Sequence, residues 1–114
     1  MADELLLEQV LINLIRNAQE AMEGTPIGSR RLVIRSFQEN ASRVGAAVID
    51  SGPGLKDKGL EHLFDSYYTT KAQGTGMGLA ICRSTIEAHR GRIWAANNPH
   101  GGATFQFVIP ALAP

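Results

Sequence analysis

The stretch Arg43-Val44-Gly45-Ala46-Ala47-Val48-Ile49-Asp50-Ser51-Gly52-Pro53-Gly54 decides the fold. Its first eight residues are rich in valine and alanine and read as a strand. The strand ends on a carboxylate, and a glycine-proline-glycine turn follows. A carboxylate that closes an apolar strand can accept a hydrogen bond from an amino group at a pocket floor. Gly52 and Gly54 let the backbone turn and come close to a flat ligand. Taken alone, the same stretch also reads as an ordinary turn after a strand. Upstream, Arg31 to Phe37 reads as the partner strand. The polar run Gln38 to Ser42 between them predicts an antiparallel hairpin. Downstream, residues 51–76 look loop-like at both ends, with Asp57 capping a short helix that runs to about Phe64.

Outside this centre the periods change. Leu7, Leu11, Leu14, Ala18, Ala21 and Met22 recur at helical spacing, which predicts a helix over residues 5–22. Asp3 is its candidate cap, and Gly24 its candidate C-terminal stop. A second helix is expected over 77–89, where Leu79, Ala80, Cys82, Arg83, Ile86 and Glu87 fit an amphipathic pattern. Arg92 to Ala96 and Ala103 to Ile109 read as strands, joined by the turn Asn97-Asn98-Pro99-His100-Gly101-Gly102 and ended by Pro110. The order is helix, two strands, glycine loops, helix, two strands. The fold class is therefore α+β: a mixed, mostly antiparallel sheet with helices packed on one face.

Composition narrows the function. At 114 residues the chain is one domain or part of one, and 44% hydrophobic residues can build a core. Eleven Lys and Arg balance eleven Asp and Glu, so no cationic excess is available for nucleic acid. The single cysteine, Cys82, excludes an internal disulfide and a Cys-rich zinc site, and fits a reducing, cytoplasmic setting. No apolar run approaches the roughly 18–20 residues of a membrane span, so no membrane contact by this domain is expected. Met1-Ala2-Asp3-Glu4 does not read as a signal peptide.

Three further clusters carry chemistry. Asn13 and Asn17 lie one helical turn apart, with Gln9, Arg16 and Glu20 on the same polar stripe, adjacent to the apolar one. An amide oxygen is a hard neutral ligand suited to Mg²⁺ beside phosphates; a solvated helix face has the same pattern. Gly74-Thr75-Gly76-Met77-Gly78-Leu79 opens a helix, where free N–H groups and the helix dipole favour an anion. It matches neither the dinucleotide fingerprint nor a Walker loop. Between these lies Leu63-Phe64-Asp65-Ser66-Tyr67-Tyr68-Thr69-Thr70-Lys71, which reads as a flap or as a surface loop anchored by Phe64.

In order, Asn-x-x-x-Asn-Ala, Asp-x-Gly-x-Gly, Phe…Thr-Thr-Lys, Gly-x-Gly-x-Gly-Leu and Gly101-Gly102-Ala103-Thr104-Phe105 closely resemble the ATP-binding catalytic domain of bacterial sensor histidine kinases. The resemblance covers residues 3–110. It is strongest to the branch with oxygen- and nitrogen-responsive kinases. It implies the Bergerat α/β sandwich shared with gyrase, Hsp90 and MutL ATPases, over a single domain of residues 1–114. It also implies ATP as substrate and Mg²⁺ as cofactor. Asn17 then matches the Mg²⁺ ligand and Asn13 a neighbouring polar contact. Asp50 matches the carboxylate for the adenine amine, with Gly52 and Gly54 shaping that floor. Gly74, Thr75, Gly76, Met77, Gly78 and Leu79 match the lid hinge and phosphate cradle. Thr104 matches a hydroxyl supporting the adenine–Asp contact. Residues 55–73 match a mobile ATP lid anchored by Phe64.

The resemblance further implies γ-phosphoryl transfer to a histidine on a separate dimerisation domain, and then to a response regulator receiver domain. His62, His89 and His100 lack the acceptor context, so the chain is expected to bind ATP without completing autophosphorylation. It starts where the family has a further strand and helix, so an N-terminally truncated, monomeric piece of a homodimeric parent is expected, with an exposed apolar patch. Glu20 stands where many such kinases carry a phosphate-binding lysine, and Lys71 or Arg16 is the candidate replacement. Asn13 and Glu20 are the only candidates for a catalytic part. Arg90 replaces a glycine, read as a surface change without consequence. A hydrolytic relative such as gyrase or MutL would carry a glutamate at Asn13 as base for water. A protein serine kinase would share the fold, but the Thr69-Thr70-Lys71 run argues against it. A degenerate module that only binds partners would not need the intact motifs.

Overall fold

The computed structural model describes residues 4–55, Phe64, 78–99 and 101–110. Helix α1 (Glu4–Ala21) forms because apolar residues return every three or four positions. Val10, Leu14 and Ala18 make its buried line, flanked by half-buried Leu7, Leu11 and Ile15. The expected stripe omitted Val10, which lies at its centre. Gly24 does not stop the helix, because it has no left-handed φ and open space where a Cβ would sit. Arg30 holds this connection instead. Its guanidinium donates to the carbonyls of Thr25 at 2.7 Å and Glu23 at 2.9 Å. A short 3-10 turn (Ile27–Ser29) then leads into the sheet.

Strand β1 (Leu32–Asn40) pairs antiparallel with β2 (Arg43–Asp50). It runs three residues beyond the expected Phe37, so the connection is only Ala41-Ser42. Polarity misled the boundary: β1 is an edge strand, and Gln38 to Asn40 need not enter the core. Asn40 Oδ1 closes the turn by accepting the N–H and hydroxyl of Ser42 at 2.8 and 3.0 Å. Helix α2 (Gly78–Ala88), β3 (Arg92–Asn97) and β4 (Ala103–Pro110) follow. The sheet order is β1-β2-β4-β3. Every described pairing is antiparallel, in keeping with the mostly antiparallel sheet expected. The helix expected over 57–64 and the Asp3 cap lie outside the described residues, apart from Phe64.

Both helices cover one face of the sheet. Val10, Leu14, Ala18, Cys82 and Ile86 meet Val48, Ala103, Phe105, Phe107 and Ile109 there. Phe64 belongs to this core, its ring edge-on to Phe105 with centroids 6.3 Å apart. Ile34 on β1 is 54% exposed, and Leu5 and Ile12 on α1 are also exposed. On the opposite face Val108 and Ala47 are 0% and 4% exposed, although the described helices pack on the other side. Phe37 lies over Gly45, where an added Cβ would come within 2.7 Å of its ring and 2.3 Å of Phe107 O. The Arg92 guanidinium stacks on Trp94 at 4.4 Å and reaches Glu39 at 2.7 Å.

The end of α2 corrects the reading of Arg90. Gly91 N–H donates to Ile86 O and Arg90 N–H to Glu87 O, both at 2.9 Å. These two bonds make a Schellman cap, whose penultimate residue is left-handed. Arg90 has φ 64, the one described non-glycine residue with positive φ. The glycine expected there removes a backbone strain that Arg90 retains.

Candidate functional site

Three elements converge at the end of β2. Asp50 is its last residue and is 3% exposed. Carboxylate Oδ1 accepts the N–H of Gly52 at 2.9 Å and of Ala103 at 3.3 Å. Oδ2 is buried without a hydrogen-bond partner. A buried acceptor left unsatisfied is costly and rare in folded proteins. It fits a ligand that brings an N–H donor to this floor, which is what an exocyclic amine of a purine supplies.

The glycines beside Asp50 act by what they lack. A Cβ on Gly52 would lie 3.1 Å from Ala21 O and 3.2 Å from Asp50 Oδ1, so the turn fits directly under the end of α1. Gly54 has φ +87, and a Cβ there would come within 2.8 Å of Asn97 Oδ1. That amide needs the space. Asn97 Oδ1 accepts Leu55 N–H at 2.6 Å, and its Nδ2 donates to Leu55 O at 2.9 Å. Ser51 ties the other side, accepting Arg31 N–H and donating to Ser29 O, each at 2.7 Å.

The asparagine stripe of α1 spans the space between α2 and Asp50. Asn13 and Asn17 are both half-buried. The Cys82 thiol on α2 donates to Val10 O at 3.9 Å, with the Asn13 side chain beside it. One turn past Asn17, Ala21 O adjoins Gly52. Asn17 thus lies between a helix that opens on glycine and the Asp50 floor. Burial pushes the Cys82 thiol up to about 11 despite the Asn13 side chain, so it stays protonated and inert at neutral pH. Glu20 and Arg16 are exposed on the outer part of the stripe. Gly78 and Leu79 begin α2. Lys71, Gly74, Thr75, Gly76, Met77, His62, His100 and nearly all of the expected lid lie outside the described residues.

Thr104 does not stand where it was expected. It pairs with Ile49 in the sheet, and alternation puts it on the face opposite Asp50. Its hydroxyl donates to Asn98 Oδ1. On the Asp50 side the neighbour is Ala103, which contributes a backbone N–H. In the sequence, Asn97 and Asn98 read only as turn residues. An asparagine pair before proline is ordinary turn chemistry, and nothing in the sequence shows that one amide reaches Asp50 and the other Leu55.

The family model described as histidine kinase-, DNA gyrase B- and HSP90-like ATPase matches residues 2–113. The chain belongs to this family. It is 45% identical to the sensor protein FixL of Bradyrhizobium diazoefficiens over 111 residues, covering 97% of this chain and 22% of FixL. Among solved structures, the catalytic domain of histidine kinase ThkA is similar with TM-score 0.82 and 41% identity, covering 96% of this chain and 68% of that one. Histidine kinase ThkA in complex with response regulator protein TrrA is similar with TM-score 0.72 and 36% identity, over 93% of this chain and 28% of that one. The chain spans well under a third of the curated relatives it matches. The family's architecture agrees with the antiparallel sheet and one-sided helices, and its ATPase description makes ATP the substrate class.

Proposed function

We propose that this chain is the Mg²⁺-ATP-binding catalytic domain, residues 1–114, of a cytoplasmic or membrane-anchored sensor histidine kinase. The buried Asp50 with one satisfied and one unpartnered oxygen carries the reading. The adenine amine donates to Oδ2, while Gly52 and Gly54 keep the floor flat enough for the base. The triphosphate runs past Asn17 toward Gly78 and Leu79 at the start of α2; by the motif resemblance, Gly74, Thr75, Gly76, Met77 and Lys71 would complete its phosphate site. Asn13 supports the stripe through Cys82. Glu20, on the same stripe, would contribute to the metal's water shell.

Asn17 fits Mg²⁺ as a single amide oxygen; an ion that keeps most of its waters and binds phosphates needs few protein ligands. When bound, the ion neutralises charge on the transferring phosphoryl group. The protein's own part is positioning, because phosphoryl transfer asks for alignment and dipoles more than covalent chemistry. The acceptor is a histidine on the dimerisation domain of the parent homodimer, and the next partner is a response regulator receiver domain. The ThkA–TrrA complex supports that partner class. Glutamate is absent at Asn13, which favours transfer over hydrolysis.

Calorimetric titration with ATP, with and without Mg²⁺, tests the binding part. Asn17→Ala is expected to abolish the gain that Mg²⁺ gives the wild type while folding normally. A separately supplied dimerisation domain should then receive the γ-phosphoryl group. ATP binding that ignores Mg²⁺ in the wild type, or hydrolysis without transfer, would overturn the kinase reading.

A further inference from the structure

Asn98, in the turn between β3 and β4, makes more contacts than closing the turn requires. Its backbone N–H donates to Gly102 O at 2.9 Å. Its side-chain Nδ2 donates to the main-chain oxygen of Asp50 at 3.0 Å and of Gly101 at 3.3 Å. Its Oδ1 accepts the Thr104 hydroxyl. These partners force the amide's orientation: two carbonyls can only accept, so the nitrogen must face them. Gly102, with φ +89, presses the turn directly on Asp50; a Cβ there would lie 1.9 Å from Asp50 O.

We propose that Asn98 is a positioning residue for adenine recognition, aiming the Asp50 carboxylate through its main chain. This rests on the reading of Asp50 as the adenine acceptor. Oδ2 has no protein partner, so nothing on that atom sets its direction. Its direction is inherited from Oδ1 and from the Asp50 backbone. Oδ1 is held by Gly52 and Ala103, and Ala103 follows the turn that Asn98 closes. The backbone carbonyl is held by Asn98 itself. Hydrogen bonds weaken as their angle falls, so a small rotation of Asp50 degrades the base contact. Thr104 acts one step further out, by fixing the Asn98 amide.

The test compares ATP with purine riboside triphosphate, the same nucleotide without the 6-amino group. Dissociation constants for both are measured calorimetrically with Mg²⁺ on the 114-residue wild type, Asn98→Ala and Asn98→Asp. The aspartate keeps an acceptor for Thr104 and loses both donors. The wild type should prefer ATP. Each variant should cut that preference about tenfold by weakening ATP, with the amine-free nucleotide moved by less than about twofold. Equal weakening of both nucleotides, or an intact preference, overturns the proposal and leaves the Asp50 reading standing. A wild type that binds ATP without preference brings down the Asp50 reading itself. If circular dichroism shows that the Asn98 variants do not fold, Thr104→Val takes their place. It should lower the same ratio by a smaller factor, and an unchanged ratio overturns the proposal.

Discussion

Burying the Asp50 carboxylate with Oδ2 unpartnered costs the free protein about 1–3 kcal/mol. A ligand donor removes that cost, so the same atom that weakens the fold favours binding. Cys82 shows the opposite case, a buried group whose neutral form is favoured by folding. Its thiol is raised from 9.0 to about 11 by burial. Between these values the unfolded chain loses the thiol proton and the folded chain keeps it. Stability from this group is therefore complete below pH 9 and falls toward pH 11, by about 1.4 kcal/mol per pH unit. Urea unfolding of wild type and Cys82→Ala across that range should differ by this slope; parallel curves would contradict it. Arg90 stores backbone strain at φ 64. Arg90→Gly should raise stability by about 0.5–1 kcal/mol, read as a higher urea midpoint at constant slope. An unchanged midpoint would mean that the side chain offsets the strain.

Among the elements, β2 is the most constrained. Its helix-side residues meet the core, and Gly45 leaves room on the other face for Phe37 and the Phe107 carbonyl. A backbone oxygen in a central ladder cannot move aside as a flexible side chain can. Gly45→Ala should therefore cost about 2 kcal/mol or more, seen as a lower melting temperature. On the same face Arg92 does two things of unequal weight. Its ion pair with Glu39 is largely exposed and worth little. Its guanidinium also covers Trp94. Arg92→Ala should destabilise more than Glu39→Gln, and the reverse order would make the ion pair the main contribution. Element identity and order were legible in the sequence because the periods of α1, β2 and β4 are strong. Element ends were not. The length of β1 depended on an edge position, and the stop of α1 on Arg30 reaching back five and seven residues.

For the whole molecule, the sheet brings the end of β2, the β3–β4 turn and the end of α1 to one place. Asp50 and its glycines were legible because they are contiguous, and their chemistry is written locally. Asn98 was not, because its contact with Asp50 spans 48 positions. Thr104 was misplaced by one residue, and in a strand one residue is the opposite face. On the proposed reading, the unpartnered oxygen of Asp50 takes the amine of adenine. The most direct measurement is the calorimetric affinity for Mg²⁺-ATP of Asp50→Asn against wild type. Oδ2 becomes a donor facing a donor, while Oδ1 can keep its two backbone bonds. The substituted protein should stay folded and bind about tenfold or more weakly. A folded Asp50→Asn protein that binds ATP as tightly as wild type would contradict the account.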